Sequence, residues 1–238
     1  VYFLKPITTP PNTMPLLRLH AIKEDKGVKL ELVTAKITVD SDKWDVVAIG
    51  HLEFEKPTDH ELFNVQESIN NLNGKKSSEQ MFTILLDDGK EVLKYSDRWA
   101  NLNWKYRNGN DYIIEQEIDD KYINDFDYFN LHPAMLDTAV ANLFRDHTLE
   151  LYLPYSYKSI RFYGKFTKKM YATISLKSDM SNNPNQALFN INYYNSNGEI
   201  SMKISDYSLV NMSKGGLSEN QPIINIKKNQ DSEDYILP

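Results

Sequence analysis

Apolar and polar positions alternate with a period of two along most of the chain, the mark of strands that bury one face. The clearest run is Trp44-Val46-Ala48-Gly50-Leu52-Phe54, alternate positions that are all apolar or small. Leu30-Leu32 followed by Ile37-Val39 predicts a strand before it, and Leu17-Leu19-Ala21 one earlier still. The opening Tyr2-Leu4 run stops at a turn-rich stretch from Pro6 to Pro15. Residues 1–54 thus read as about four strands and no helix.

Pro57 to Lys76 is polar and rich in Asn, a connector by composition. Ser77 to Leu86 suits a short helix, stopped at Asp87-Asp88-Gly89. A second β-rich half follows, with strands predicted at Trp99–Tyr106, Tyr112–Ile118, Ser159–Tyr163, Met170–Leu176, Ala187–Tyr194 and Ile200–Val210. The tail from Ser213 to Pro238 has few apolar residues and no period, and reads as a linker.

One segment of the second half switches to a helical period. Pro133 suits the first helical position, where its missing N–H would have no partner. Leu136, Val140, Leu143 and Phe144 recur at i, i+4, i+7 and i+8 as one apolar stripe. At about 100° per residue, Asp137 falls at the edge of that stripe, next to Phe144. A lone carboxylate there invites a chemical question. The plain alternative is a helix N-terminal acid that complements the dipole. The second half is therefore a sheet with one helix, and the first a similar sheet with none. An antiparallel sheet needs something over its apolar face. If the halves are repeats, the first half's helix lies upstream of Val1.

Composition narrows the function classes. The 238 residues are 41% hydrophobic and 25% charged, ordinary for a soluble globular protein and enough for a proper core. A net charge of -6 argues against a general nucleic-acid binder. No apolar run approaches the roughly 20 residues that span a bilayer, and Val1-Tyr2-Phe3-Leu4-Lys5-Pro6 does not read as a signal peptide. The chain has no cysteine, which fits the cytoplasm and excludes thiolate metal sites and cysteine nucleophiles. The five histidines show no HExxH or close pair. No Gly-rich phosphate cradle and no G-x-S-x-G elbow is present. Trp44, Trp99 and Trp104 are read as core residues of a β-rich protein.

Three ordered motifs carry a resemblance. Tyr128-Phe129-Asn130-Leu131-His132-Pro133-Ala134-Met135-Leu136-Asp137 resembles the LHPALLD signature of polyketide synthase dehydratase domains. Leu153-Pro154-Tyr155-Ser156-Tyr157 is similar to the family's LPxxW, with Tyr for Trp. Tyr95-Ser96-Asp97-Arg98-Trp99 stands in the place of YGPxF, keeping the aromatics and losing Gly and Pro. The resemblance covers roughly residues 1–212. It implies an α+β double hot dog, two antiparallel sheets each wrapped on a helix. The divisions are a first lobe over 1–57, a connector over 58–95, a second lobe over 96–212 and a linker over 213–238.

The family's reaction, as the resemblance implies it, is loss of water from a 3-hydroxyacyl thioester, with no cofactor bound directly. The substrate rides on the phosphopantetheine of an acyl carrier protein. That carrier, neighbouring synthase domains and a second copy of the chain are the implied partners, with no nucleic acid and no membrane. Asp137 matches the catalytic aspartate, which protonates the departing hydroxyl while a histidine takes the α-proton. The family's HxxxGxxxxP is begun by none of His20, His51, His60, His132 and His147, so the resemblance places the catalytic histidine upstream of Val1. Tyr95 is matched to a residue that bonds the aspartate, and Trp99 to a pocket or acid-orienting position. His132 opens the helix, and Pro154 and Tyr157 shape a turn at the pocket wall. Ala141, with Asn142 beside it, stands where the family often has Gln or His. Two alternatives remain: an inactive domain kept for docking or structure, and an isomerase or cyclase on the same fold. A free-standing ligand-binding β protein would leave the ordered motifs unexplained.

Overall fold

The computed structural model describes residues 1–5, 7, 15–35, 44–54, 62–72, 74–78, 83–85, 91–144, 152–178 and 185–211, without the side chains of 75, 83–85, 91–94, 142 and 144. The strands are β1 (Tyr2–Phe3), β2 (Leu16–Glu24), β3 (Gly27–Ala35), β4 (Trp44–Leu52), β5 (Lys75–Ser77), β6 (Thr83–Leu85), β7 (Glu91–Lys94), β8 (Leu102–Asn108), β9 (Asp111–Glu117), β10 (Tyr152–Phe162), β11 (Lys169–Leu176), β12 (Gln186–Asn195) and β13 (Ile200–Asn211). Helix α1 spans Val65–Leu72 and α2 Pro133–Phe144; 3-10 turns occupy Asp97–Trp99 and Asp120–Asp127. An eleven-stranded sheet runs β2-β3-β4-β1-β10-β13-β12-β11-β9-β8-β5, and β6-β7 form a separate hairpin. Its pairings are antiparallel, as the period-2 patterning predicts.

The two halves meet at β1. Tyr2 pairs with Ile49 of β4 on one side and Ser156 of β10 on the other. A two-residue strand thus joins the β2–β4 sheet to the β8–β13 sheet.

The second half holds the core. Met135, Ala139, Val140 and Leu143 of α2 pack with Tyr112, Ile114, Met170, Ala172, Ile174, Phe189, Ile191, Tyr193, Met202 and Leu209, one contiguous cluster. Strict alternation is visible in β11 and β12, where every second residue is buried.

Several expectations are corrected. A helix lies at Val65–Leu72, inside the stretch read as a connector. Asn64 caps it: its Oδ1 accepts from the Glu67 N–H at 3.1 Å, and its Nδ2 donates to Glu67 Oε2 at 3.0 Å, a form of capping box. In place of the helix expected at Ser77 to Leu86, the described residues include strand: Ser77 ends β5, and Thr83–Leu85 pairs with β7. The proposed stop at Asp87-Asp88-Gly89, the strand continuation Ile37-Val39 and the tail from residue 213 lie outside the described residues. The strand expected at Ser159–Tyr163 begins earlier, at Tyr152, so Pro154 and Tyr157 sit in β10 rather than in a turn. Proline is tolerated there because the register shifts between Pro154 and Ser156.

The first sheet also buries a different face. Val47 and Ile49 are buried, whereas Leu52 and Phe54 of the predicted apolar row are exposed and Trp44, Val46 and Ala48 only half-buried. Leu17 and Leu19 of β2 are exposed too. Among the described residues of 1–54 there is no helix to cover that row. Gly50 is the exception, buried beside the Val1 side chain.

Candidate active site

Most described side chains of helix α2 are buried. Ala134, Met135, Thr138, Ala139, Val140 and Leu143 are all closed off, while Pro133 and Asp137 are exposed and Leu136 and Ala141 are half-buried. Pro133, Asp137 and Ala141 recur at i, i+4 and i+8 and form an open strip. Asp137 stands in the middle of it. The stripe read from Leu136, Val140, Leu143 and Phe144 is therefore rotated: the buried face centres on Met135, Ala139 and Leu143. The reason is that the small residues Ala134, Thr138 and Ala139 let the sheet approach on sides that a hydrophobicity count leaves unmarked.

The Trp99 indole donates to Asp137 Oδ2 at 2.7 Å. Solvent reaches Asp137, but protein surrounds it on most sides, and this dehydration pushes its pKa above the ordinary 3.8 while the Trp99 bond pulls the other way. Four tyrosines feel the acid's charge. Tyr95, Tyr157, Tyr193 and Tyr207 all have phenols raised above 10.0, by burial first and in part by the Asp137 charge. Tyr157 stacks on Tyr207 with centroids 4.5 Å apart, and the Tyr193 hydroxyl donates to the Leu136 carbonyl at 3.2 Å. Tyr157 also meets the first half: Phe3 packs edge-on against it at 5.7 Å, and its N–H donates to the Val1 carbonyl at 2.8 Å. The site thus lies on the β1 seam.

Two polar clasps hold the Asp97–Trp99 turn onto α2. In the first, the Thr138 hydroxyl donates to the Trp99 carbonyl at 3.3 Å and accepts from Asn101 Nδ2 at 3.1 Å. Gln116 Nε2 then donates to Asn101 Oδ1 at 2.8 Å and to the Met135 carbonyl at 2.9 Å. Asn101, Gln116 and Thr138 are buried, so these bonds are made away from competing water. In the second, Arg98 grips Asp125 with Nε at 2.8 Å and Nη2 at 3.3 Å, and Asp125 meets His132 Nε2 at 3.2 Å. His132 is buried, flanked by Phe126 and Phe129, and its carbonyl receives the Met135 and Leu136 N–H groups that start α2. Burial lowers its pKa below 6.5, so the neutral ring donates through Nε2, and Nδ1 is a buried acceptor with no partner among the described residues.

Asp137, Tyr95, Trp99 and Tyr157 are brought together. Ala141 lies one turn along the open strip and offers no hydrogen-bonding group. His132 is turned to Asp125, away from the acid, and Pro154 is an exposed strand residue. Asn142 lies on α2 with its side chain outside the described set. Reading the sequence missed Asn101, Gln116, Thr138, Asp125, Tyr193 and Tyr207. Gln116 carried a signal: Tyr112, Ile114 and Ile118 share its alternate register, which places an amide among core positions. Among the described residues no group of His, Asp and Glu is placed to hold a metal ion. None of their helices is long and apolar enough to cross a membrane.

A family model described as the polyketide synthase dehydratase N-terminal domain matches residues 85–219. No curated protein matches the sequence. Among solved structures, an inactive mutant of the CurJ dehydratase in complex with a compound aligns with a TM-score of 0.76 at 13% identity, over 91% of this chain and 76% of that one. A dehydratase domain of a trans-AT polyketide synthase from Brevibacillus brevis gives 0.75 at 10% identity, over 88% and 74%. The enoyl-isomerase of a trans-acyltransferase polyketide synthase gives 0.64 at 16%, over 87% and 77%.

Proposed function

The chain belongs to the polyketide synthase dehydratase family and has its double hot-dog fold, and from that premise we propose that it removes water from a 3-hydroxyacyl thioester with Asp137 as the acid. The substrate is carried on the phosphopantetheine of an acyl carrier protein. One observation carries the reading: Asp137 is a carboxyl on the open strip of a helix whose described side chains are mostly buried, with burial favouring its protonated form.

Hydroxide is a poor leaving group, so the β-oxygen must gain a proton as its bond to carbon breaks. Asp137 supplies that proton and is left as carboxylate. The α C–H bond breaks to a base, its electron pair forms the new double bond, and water departs. The base's proton returns to Asp137 through solvent, which closes the cycle. We assign the base to a histidine outside the described residues. Three histidines are described, and the geometry favours this because His20 lies on β2 at the far edge of the sheet, His51 pairs with Glu24 on the first sheet, and His132 pairs with Asp125 at the start of α2.

Asp137→Asn tests the reading, since it keeps the shape and removes the acid. Mass spectrometry of a carrier-bound 3-hydroxyacyl substrate, treated with the chain in its synthase, should show dehydration reduced by about 100-fold or more. Unchanged turnover in the variant removes Asp137 from the mechanism, and a wild-type synthase that leaves the hydroxyl in place removes the dehydratase reading.

A further inference from the structure

Asp137 has two oxygens, and only one of them can deliver the proton. We propose that Trp99 is the positioning residue that makes this choice, holding Oδ2 as an acceptor and leaving Oδ1 as the oxygen that carries the acidic proton. The inference rests on the acid role argued above, and it adds which atom acts and what selects it.

An indole N–H can donate and cannot accept. At 2.7 Å from Trp99 Nε1, Oδ2 is therefore the carbonyl-like oxygen of the neutral acid. The proton then resides on Oδ1. Once that proton leaves, the same N–H faces a carboxylate and becomes a charge-assisted bond, so its strength grows as the acid ionises. Trp99 thus helps most when the proton is being given up, which is where assistance raises the rate.

The donor is held from two sides. Its ring bonds residue 137 while its backbone carbonyl accepts from the hydroxyl of residue 138. Thr138 is in turn fixed by Asn101, and Asn101 by Gln116, which reaches back to the Met135 carbonyl on the same helix. Arg98, the neighbour of Trp99, is clamped to Asp125. The Tyr95 ring lies tilted beside the indole, with centroids 6.2 Å apart. Ala141, one turn after the acid, has no group to do this work, so the donor comes from the Asp97–Trp99 turn and not from the helix itself.

The experiment needs no turnover to begin. The chain has three tryptophans, hence three indole N–H signals in a nitrogen-resolved spectrum, and Trp99→Phe identifies one by its loss. In the wild-type chain that signal should move with pH along the titration of the Asp137 carboxyl, and in Asp137→Asn it should stop moving. The Asp137 carboxyl, followed by carbon resonance, should titrate at higher pH in Trp99→Phe than in wild type. In the synthase, Trp99→Phe should lower kcat by a factor of about 10 to 100, the worth of one bond to a charged group, with KM little changed. Unaltered circular dichroism separates this from misfolding. An indole signal indifferent to Asp137, or a Trp99→Phe enzyme with wild-type kcat and pH profile, overturns the assignment. Coupled titrations in a wild-type chain that does not dehydrate would keep the Trp99–Asp137 pairing and instead overturn the proposed function.

Discussion

Two carboxyls of one site are pushed in opposite directions, and each leaves a separate trace in stability. Asp137 is raised above 3.8 by burial, so between that value and its folded pKa the folded chain holds more proton than the unfolded one. Stability contributed by the neutral acid falls as pH rises through this window, and the ionised group stays unfavourable above it. Asp137→Asn removes that group, and the variant should melt higher than wild type at pH 7, with the gain gone below about pH 4. Asp125 is the reverse. The Arg98 guanidinium, and then His132, hold its carboxyl below 3.8, so its contribution is complete at neutral pH and is lost as pH falls through the folded value. Asp125→Asn should therefore melt lower at pH 7, and the deficit should shrink on acidification. Thermal melts of both variants across pH check the pair. An Asp137→Asn chain less stable at pH 7 would mean that the Trp99 bond outweighs the dehydration.

At the scale of elements, α2 is both the centre of the core and the carrier of the acid. Leu143 is fully buried and packs in the same core cluster as Met135 and Ala139. Leu143→Ala should cost about 2 to 5 kcal/mol in urea unfolding, from lost transfer energy plus a cavity the sheet cannot close. A cost under about 1 kcal/mol would mean that the helix sits loosely and cannot hold Asp137 in place. The bounds of this helix were legible because Pro133 and the 3.6-residue period agree. Its orientation was not, because Ala134, Thr138 and Ala139 are buried for their small size, and weak hydrophobicity does not report that. Most strands of the second half were legible from alternation, as in Met170-Ala172-Ile174-Leu176, but Trp99 lies in the 3-10 turn before β8 and β10 begins at Tyr152 rather than Ser159. α1 was hidden in a polar segment, where the only local mark was Asn64 with Glu67 three residues on. Asp137, Tyr95, Trp99 and Tyr157 could be named from motif order, whereas the clasps through Gln116, Asn101 and Asp125 join residues distant in sequence, which no local pattern displays.

Among the described residues, the eleven-stranded sheet divides into two unequal parts joined through β1. Ile114, Met170, Phe189, Ile191 and Met202 are among a dense buried set in the second half, while Val33, Val47 and Ile49 are the buried hydrophobics of β2–β4. Leu16, Leu17 and Leu19 on the outermost strand are exposed. The join includes Tyr2 pairing to Ile49 and Ser156, with Leu4 N–H donating to the Val47 carbonyl at 2.8 Å and Tyr157 N–H to that of Val1. Local unfolding follows the sparsest burial, so β2–β4 should open without the rest. Native-state hydrogen exchange on this chain should find the amides of β2 and β3 exchanging well before those of β11, β12 and β13. Tyr157 should follow the first group although it sits in the second half, because its N–H is bonded across the seam to Val1. This matters for the site, since Tyr157, at that seam, and Tyr207, stacked on it, both feel the Asp137 charge. Protection of β2 and β3 equal to that of β12 would show instead that the eleven strands open as a single unit. The environment of Asp137 would then not depend on how firmly β1 is seated.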